Sequence, residues 1–201
     1  MAHIGMKRPV AGKLGEGGTY SEGFVVGKAI NFTGTPTNND VELWADDEVA
    51  ETDKSIQDMG VSLSVDDLSL KVYADLLGHD YVAAVEGDGD STPSTPESVE
   101  IGTDDVAPYV GLAFYKRRRK NNVTTFTAIF LRKVKFSEPT ENGNTKGGTT
   151  EFQTPTIEGK AYPLEITVDG TKKNSVGKKA TFTTEAAAAA WCDEMVGMES
   201  A

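Results

Sequence analysis

The chain has 201 residues, of which 38% are hydrophobic and 25% are charged, and its formal net charge is -11. This length is enough to bury a hydrophobic core, so we expect a single folded domain over residues 1–201. No run of about 18 apolar residues occurs, which predicts that no segment spans a membrane. Lys7 and Arg8 are followed by no apolar stretch, which argues against a cleaved signal peptide.

The N-terminal segment, residues 1–20, is polar and rich in glycine, and it predicts a mobile arm. Strand-like runs follow at 23–31, 41–44, 60–65, 109–115, 123–136, 149–159, 164–168 and 180–183. The run at 123–136 is the longest and has apolar residues on both alternating sides, which is typical of a central strand buried on both faces. The pair Asn121-Asn122 predicts a hairpin turn that joins this run to the one before it.

Two long segments look less compact than the strands. Residues 40–60 combine a short strand-like run with an acidic stretch and predict an extended loop. Residues 86–103 are acidic and rich in proline, serine and glycine, so they predict an acidic surface loop. Loops of this length within a compact domain are often functional.

A first helix is predicted between the two long loops. Asp66 or Asp67 suits its N-cap, and Gly78 suits the position just after its C-terminus. Its apolar positions recur at helical spacing, at Leu68, Val72, Tyr73, Leu76 and Leu77. With a C-terminal helix, these elements predict a mainly β (α+β) fold, an antiparallel β-sandwich or barrel-like sheet with one flanking helix.

The C-terminal helix is expected to begin after Thr183 or Thr184 and to dock on the core. Its large residues share one stripe, at Trp191, Met195 and Met198. The single cysteine, Cys192, lies in this apolar pattern and is predicted to be a small buried side chain. A catalytic thiol needs a base, and the spacing of the two histidines, His3 and His79, supports none.

Other motifs of catalysis and ligand binding are missing from the sequence. It contains neither GxSxG nor HExxH, and its Gly-Lys pairs lack the GxxxxGK[ST] pattern that cradles phosphates. The acidic triplet 88–90 lacks the alternation and the terminal glutamate of a calcium loop. We therefore predict that the protein is not an enzyme and has no catalytic residues, no cofactor and no metal site.

Charge is distributed very unevenly along the chain. Residues 40–105 contain 19 acidic residues and 2 lysines, whereas residues 106–146 contain 9 basic and 2 acidic residues. One interpretation is solubilising charge that happens to be unevenly spread. The other is head-to-tail assembly, in which an acidic surface of one copy meets a basic surface of the next.

A basic run, KRRRK, occupies residues 116–120 at the presumed hairpin tip. Nucleic-acid binding is one interpretation, but the predominantly acidic remainder of the chain would repel phosphates. A solvated turn, or a contact with the acidic loop of another subunit, fits better. The basic candidates for such a contact are Arg117, Arg118 and Arg119.

Several sequence segments, in this order and spacing, resemble one known family. They are LWADD at 43–47, AET at 50–52, VDDL at 65–68, ADLLGH at 74–79, APYVGL at 107–112, FSEP at 136–139, TKGGTTEFQTPTIEG at 145–159 and the alanine-rich stretch that ends at 191. The family is that of the major tail proteins, the tail-tube subunits, of long-tailed (siphovirus) phages of Gram-positive bacteria. The resemblance covers roughly residues 20–195.

The resemblance implies a structural virion protein, assembled in the host cytoplasm and located in the phage tail. Six copies would form a ring, and the rings would stack into a hollow tube through which DNA passes. Expected partners are other copies of the chain and other tail proteins, such as the tape measure and the tail terminator, with no membrane. By the same resemblance the loop at 40–60 would contact neighbouring subunits through Leu43, Trp44, Asp46, Asp47 and Glu51.

Two other functions stay open at this point. The chain could form the inner tube of a contractile tail or of a tail-like bacteriocin, which belongs to the same assembly class. It could instead be a β-sandwich binding module for adhesion or carbohydrate recognition. Such modules usually expose clustered aromatic side chains, and only two tryptophans, Trp44 and Trp191, occur here. Oligomer size separates the classes, because a binding module is expected to stay monomeric or dimeric.

Overall fold

The structure is a computed structural model. It describes residues 3–45, 47–87, 94–141 and 154–198. The strands are β1 (His3–Leu14), β2 (Tyr20–Val25), β3 (Ala29–Asn38), β4 (Val41–Ala45), β5 (Glu48–Asp53), β6 (Ile56–Val65), β7 (Asp80–Val82), β8 (Ser98–Glu100), β9 (Val110–Lys120), β10 (Val123–Ser137), β11 (Thr156–Tyr162), β12 (Leu164–Val168), β13 (Thr171–Ser175) and β14 (Gly177–Phe182). The two α-helices are α1 (Leu70–Leu77) and α2 (Glu185–Met195).

Eight strands form one antiparallel sheet in the order β2-β1-β9-β10-β11-β6-β3, with β14 also paired to β10. One edge of β10 is shared, since β14 pairs with its first half and β11 with its last five residues. Strands β4–β5, β7–β8 and β12–β13 form three separate two-stranded ribbons. The fold is thus mainly antiparallel β with two helices, as the strand pattern predicts.

The central strands are buried on both faces. On one face of β9 and β10, Leu112, Phe114 and Leu131 join the core that also contains β6, β11 and α1. Phe32 of β3 meets Phe114 with ring centres 4.4 Å apart, so β3 at one end of the sheet order packs on central strand β9 and the sheet folds over into a sandwich-like layer. On the other face, Phe126, Ala128 and Phe130 pack under α2. The predicted double burial of 123–136 is confirmed.

The predicted hairpin turn and the predicted end of α1 are confirmed, but the predicted N-cap of α1 is not. Asn121 and Asn122 have φ values of 49° and 61°, the left-handed pair that a tight hairpin turn needs. Gly78 ends α1 at φ 82°. The helix begins later than expected, however, because Ser69 caps it by accepting a hydrogen bond from the Val72 N–H. Asp66 instead accepts the Lys28 N–H at 2.7 Å, so the prediction of an aspartate N-cap is wrong.

The expectation of a mobile arm over residues 1–20 is also wrong for the described part of that segment. Strand β1 lies between β2 and β9 in the sheet, and Val10 and Ala11 are fully buried. Gly12 allows the end of α2 to approach, because a Cβ on Gly12 would lie in contact with the Val196 carbonyl oxygen. The predicted strand at 23–31 is correspondingly split between β2 and β3.

The two predicted long loops are more ordered than expected. Residues 40–60 form the β4–β5 hairpin and the start of β6, so the segment that was predicted to be an extended loop is made mostly of paired strands. In 86–103, residues 98–100 form β8 and pair with β7, and Val85 bridges to Thr95. Residues 88–93 of that predicted loop lie outside the described residues, as does the Asn142-Gly143 turn.

Candidate interaction site

The β4–β5 hairpin is the best candidate for an interaction site, and its base is well defined. The Asn39 N–H donates to the Ser55 carbonyl oxygen at 2.8 Å, and Lys54 lies 3.7 Å from the Asp40 carboxylate. Asp47, at the turn, has a φ of 64°. Among the described residues these two strands pair only with each other, and the hairpin continues from β3 and leads into β6.

The described side chains of the hairpin are exposed, and most are acidic or apolar. Its acidic side chains are Glu42, Asp47, Glu48 and Glu51, and Val41, Trp44 and Val49 are its large apolar ones. Trp44 is 62% exposed and pairs across the ribbon with Val49, which is 43% exposed. Contiguous exposed apolar side chains rimmed by charge are typical of a protein–protein contact.

The structure places four of the five predicted contact residues on this hairpin. Leu43 lies opposite Glu51, and Trp44 lies one step further along β4 after a register shift. Only the backbone of Leu43 is described, and Asp46 lies outside the described residues. The predicted partnership of these residues with another subunit stays a prediction.

The basic run lies at the end of the strand that leads into the Asn121-Asn122 turn. Residues 116–120 are the last five of β9, so their side chains alternate between the two faces of the sheet. The Lys116 ammonium lies 5.7 Å from the ring centres of Phe32 and Phe114. Arg119 donates to the Asn122 side chain at 3.3 Å. Arg117 acts electrostatically on Glu185 and helps to lower the pKa of that carboxyl, after the larger effects of its bonds to Lys7 and Tyr115.

A second group of basic residues, Lys133 and Lys135, was not predicted from the sequence to form a site. Lys133 and Lys135 alternate with buried Val134 and Phe136 on β10, so both lysines lie on the outer face of the sheet. Their ammonium groups lie 4.3 Å and 5.4 Å from the ring centre of Tyr109. The alternation of residues 133–136 is visible in the sequence, but Tyr109 precedes another strand, β9, and only the tertiary structure brings it to the lysines.

His79 forms the most tightly bonded polar cluster that the structure describes. Its side chain is 4% exposed, Nδ1 lies 2.6 Å from the Asp105 carboxylate, and Nε2 lies 2.5 Å from that of Glu138. The Tyr73 hydroxyl donates to the second oxygen of Glu138 at 2.6 Å. The cluster therefore ties the end of α1 to the turn before β9 and to the residue after β10. No nucleophile belongs to this described group, and its arrangement is that of a structural clamp.

The electrostatics of the cluster favour the doubly protonated imidazolium. Burial disfavours the charged form, but the bonds to Asp105 and Glu138 outweigh it and raise the pKa of His79. The bond to His79 is in turn the main reason that the pKa of Asp105 is lowered, helped by the Gly102 N–H. Burial and the bond to Glu138 raise the pKa of Tyr73, so the phenol stays protonated at neutral pH.

This clamp predicts a defined pH dependence of stability. A histidine with a raised folded pKa stabilises fully below its unfolded pKa of about 6.5, and that contribution is lost as pH rises through the folded value. His79→Asn is expected to cost about 1.5–3 kcal/mol at pH 6, the range for hydrogen bonds to charged groups. The difference between wild type and variant should shrink toward pH 9, measured by urea unfolding at each pH.

Tyr73→Phe provides the control for the clamp. It keeps the ring beside His79, whose centre lies 5.2 Å away, and removes only the bond to Glu138. This variant should retain the wild-type pH dependence. If His79→Asn and wild type instead show the same slope of stability with pH between 6 and 9, the imidazolium clamp is refuted.

The remaining candidate chemistry is sparse in the part of the chain that the structure describes. Cys192 is fully buried, and burial raises the pKa of its thiol to about 12, so the predicted small buried side chain is confirmed. No group of three histidine, cysteine, aspartate or glutamate side chains within the described ranges is arranged to hold a metal ion. Neither described helix has the length and apolar character needed to cross a membrane.

Compared with family models and with curated proteins, the chain matches none of them. What the structure establishes is the class of fold, a mainly antiparallel β-domain with an eight-stranded sheet and two helices.

Proposed function

We propose that the protein is a structural, self-assembling subunit that forms the hollow tail tube of a long-tailed phage. The observation that carries the proposal is the β4–β5 hairpin, on which Trp44 and Val49 are exposed to solvent together with four carboxylates. A two-stranded ribbon forms no hydrophobic core, so an apolar pair of this kind stays exposed in the single subunit. Contact with another copy would bury it, and this is the role that the sequence resemblance assigns to residues 40–60.

The edges of the main sheet support the same proposal. Strands β2 and β3 end the hydrogen-bonded order of the sheet, and β3 is exposed from Thr33 to Asn38. An exposed strand edge pairs readily with another chain unless something covers it. If such edges pair between the six copies of a ring, they are no longer free to aggregate, and the paired strands form the wall of a tube.

The uneven charge also fits a heterologous assembly. An acidic segment at 40–105 and a basic segment at 106–146 allow unlike surfaces of neighbouring copies to meet, which produces rings when the rotation closes. The overall charge of -11 suits a tube through which DNA passes without binding, because phosphates are repelled by an acidic wall. The proposed partners are other copies and other tail proteins, in the virion.

Negative-stain electron microscopy of the concentrated protein, with light scattering during size-exclusion chromatography, tests this function. Rings about one subunit thick, or hollow tubes, are the expected result. A species that stays monomeric or dimeric at every concentration, and also when other tail proteins are present, would contradict it. That result would favour the β-sandwich binding module instead, and a ligand screen would then follow.

A further inference from the structure

A cationic and aromatic patch lies on the outer face of the sheet, away from the acidic hairpin in sequence. It comprises Lys133 and Lys135 of β10, Tyr109 before β9, and Lys160 and Tyr162 of β11. The register brings Lys133 opposite Tyr162 and Lys135 opposite Lys160. Tyr109 and Tyr162 meet edge to face with ring centres 6.1 Å apart. Because the sheet holds these positions, the patch is preformed and little conformational entropy is lost when a partner binds.

The charge of this patch is only partly compensated, because Lys135 and Lys160 line a cavity together with Glu138, Glu141 and Glu158. Lys160 lies 3.5 Å from the Asp58 carboxylate, but within the described residues neither Lys133 nor Lys135 has a carboxylate within 4 Å. Both lysines lie over Tyr109 instead. Two ammonium groups held 4.3 Å and 5.4 Å from one ring centre repel each other, so an incoming carboxylate would relieve the repulsion.

Resting on the proposed function, we infer that this lysine–tyrosine patch receives the acidic β4–β5 hairpin of a second copy. The hairpin carries the complementary groups. Its four described carboxylates are exposed and form no described ion pair, and Trp44 is the aromatic side chain best suited to lie against lysine. The contact is heterologous, since the hairpin and the patch are different surfaces, and so it propagates from copy to copy.

The patch is a better receiver than the basic end of β9. There, Arg119 already bonds Asn122, Arg117 faces the region of Glu185, and successive side chains of the run alternate between two faces of the sheet. Lys133 and Lys135 share one face with the two tyrosines. The receiving surface therefore combines two features in one place. Tyrosines are enriched in protein interfaces, and the lysines supply the charge that selects an acidic partner.

Charge exchange between copies tests the contact. The variants K133E/K135E and E48K/E51K each place like charges on the hairpin and the patch, so each alone is expected to associate about tenfold more weakly or worse. When the two variants are mixed, they should associate again. The acidic hairpin of K133E/K135E can bind the lysine patch of E48K/E51K, and the basic hairpin of E48K/E51K can bind the acidic patch of K133E/K135E. K172E/K173E, on the separate β12–β13 ribbon, makes the same change in charge and should behave as wild type. Light scattering of each protein and of the mixture gives the readout.

Cysteine cross-linking separates failure of this inference from failure of the proposed function. E48C mixed with K133C should form a heterodimeric disulfide about tenfold faster than E48C mixed with K173C, and buried Cys192 does not compete. Wild-type rings without this preference would overturn the docking and leave the function standing. Preferred cross-linking without rings or tubes would support the docking and refute the tail tube.

Duplex DNA is the competing occupant, and fluorescence anisotropy with labelled duplex detects it. The inference expects that wild type and K133E/K135E bind DNA equally poorly, given the excess of acids in the chain. If K133E/K135E loses a salt-dependent affinity for DNA that wild type has, and mixing with E48K/E51K restores no association, the patch is a nucleic-acid site and the docking is refuted.

Discussion

Replacing Trp44 with serine is expected to abolish ring and tube formation while leaving the fold intact. Trp44 is 62% exposed and lies on a ribbon outside the main sheet, so its removal opens no cavity in the core. Surface substitutions of this kind usually change stability by no more than about 0.5 kcal/mol. At an interface, however, a buried tryptophan is a typical hot spot, and its truncation costs about 2 kcal/mol or more for each contact.

The effect on assembly is amplified because every subunit of a ring makes this contact with both neighbours, once with its hairpin and once with its receiving surface. A loss of about 2 kcal/mol per contact corresponds to more than a tenfold weakening of each contact. Electron microscopy and light scattering of the variant should therefore show only small species. Urea unfolding, monitored by circular dichroism, should superimpose on wild type.

Val106→Ser is the matched control for this prediction. Val106 is 71% exposed and lies outside the hairpin, so its substitution removes a comparable exposed apolar group from another part of the surface. It should assemble as wild type does. Normal tubes from Trp44→Ser would show that the hairpin does not carry the assembly.

Val10→Asp is expected to destabilise the folded protein by about 3–5 kcal/mol, the range for an uncompensated buried charge. Val10 is fully buried and belongs to the hydrophobic cluster that also contains Ala188, Cys192 and Val196. A carboxylate there either stays charged without a partner or takes up a proton at a cost in free energy. The free energy of unfolding in urea measures the loss.

Ile4→Asp on the same strand distinguishes burial from position in the chain. Ile4 is 52% exposed, so a carboxylate at that position stays in water and should change stability by no more than about 0.5 kcal/mol. An N-terminal arm would tolerate both substitutions equally. Equal tolerance would therefore contradict the placement of β1 between β2 and β9.

The parts of this protein that could be predicted from sequence are those whose cause is local. Alternating apolar residues in 123–136 predict a strand buried on both faces, and Asn121-Asn122 predicts the tight turn, because only backbone geometry and side-chain polarity within a few residues are involved. The same holds for Gly78 at the end of α1 and for Cys192 in an apolar helix. These elements are enough to predict the mainly β class and the two helices.

The acidic charge of the candidate site could also be predicted from the sequence, but the hairpin geometry of the site could not. The acidic character of 40–60 follows from composition, whereas the exposure of Trp44 is a finding of the structure. That the segment is a two-stranded hairpin does not follow, since its pairing depends on the register between β3 and β6 at its base.

Tertiary structure alone decided the placement of β1, the His79 clamp and the lysine–tyrosine patch. Residues 1–20 are rich in glycine, yet residues 9–12 of β1 are buried and Gly12 lets the end of α2 approach, which no local pattern reveals. His79 meets partners 26 and 59 residues away, at Asp105 and Glu138. The patch likewise joins β10, β11 and the residue that precedes β9. Each depends on contacts between distant segments, and such contacts form only when the sheet order is established.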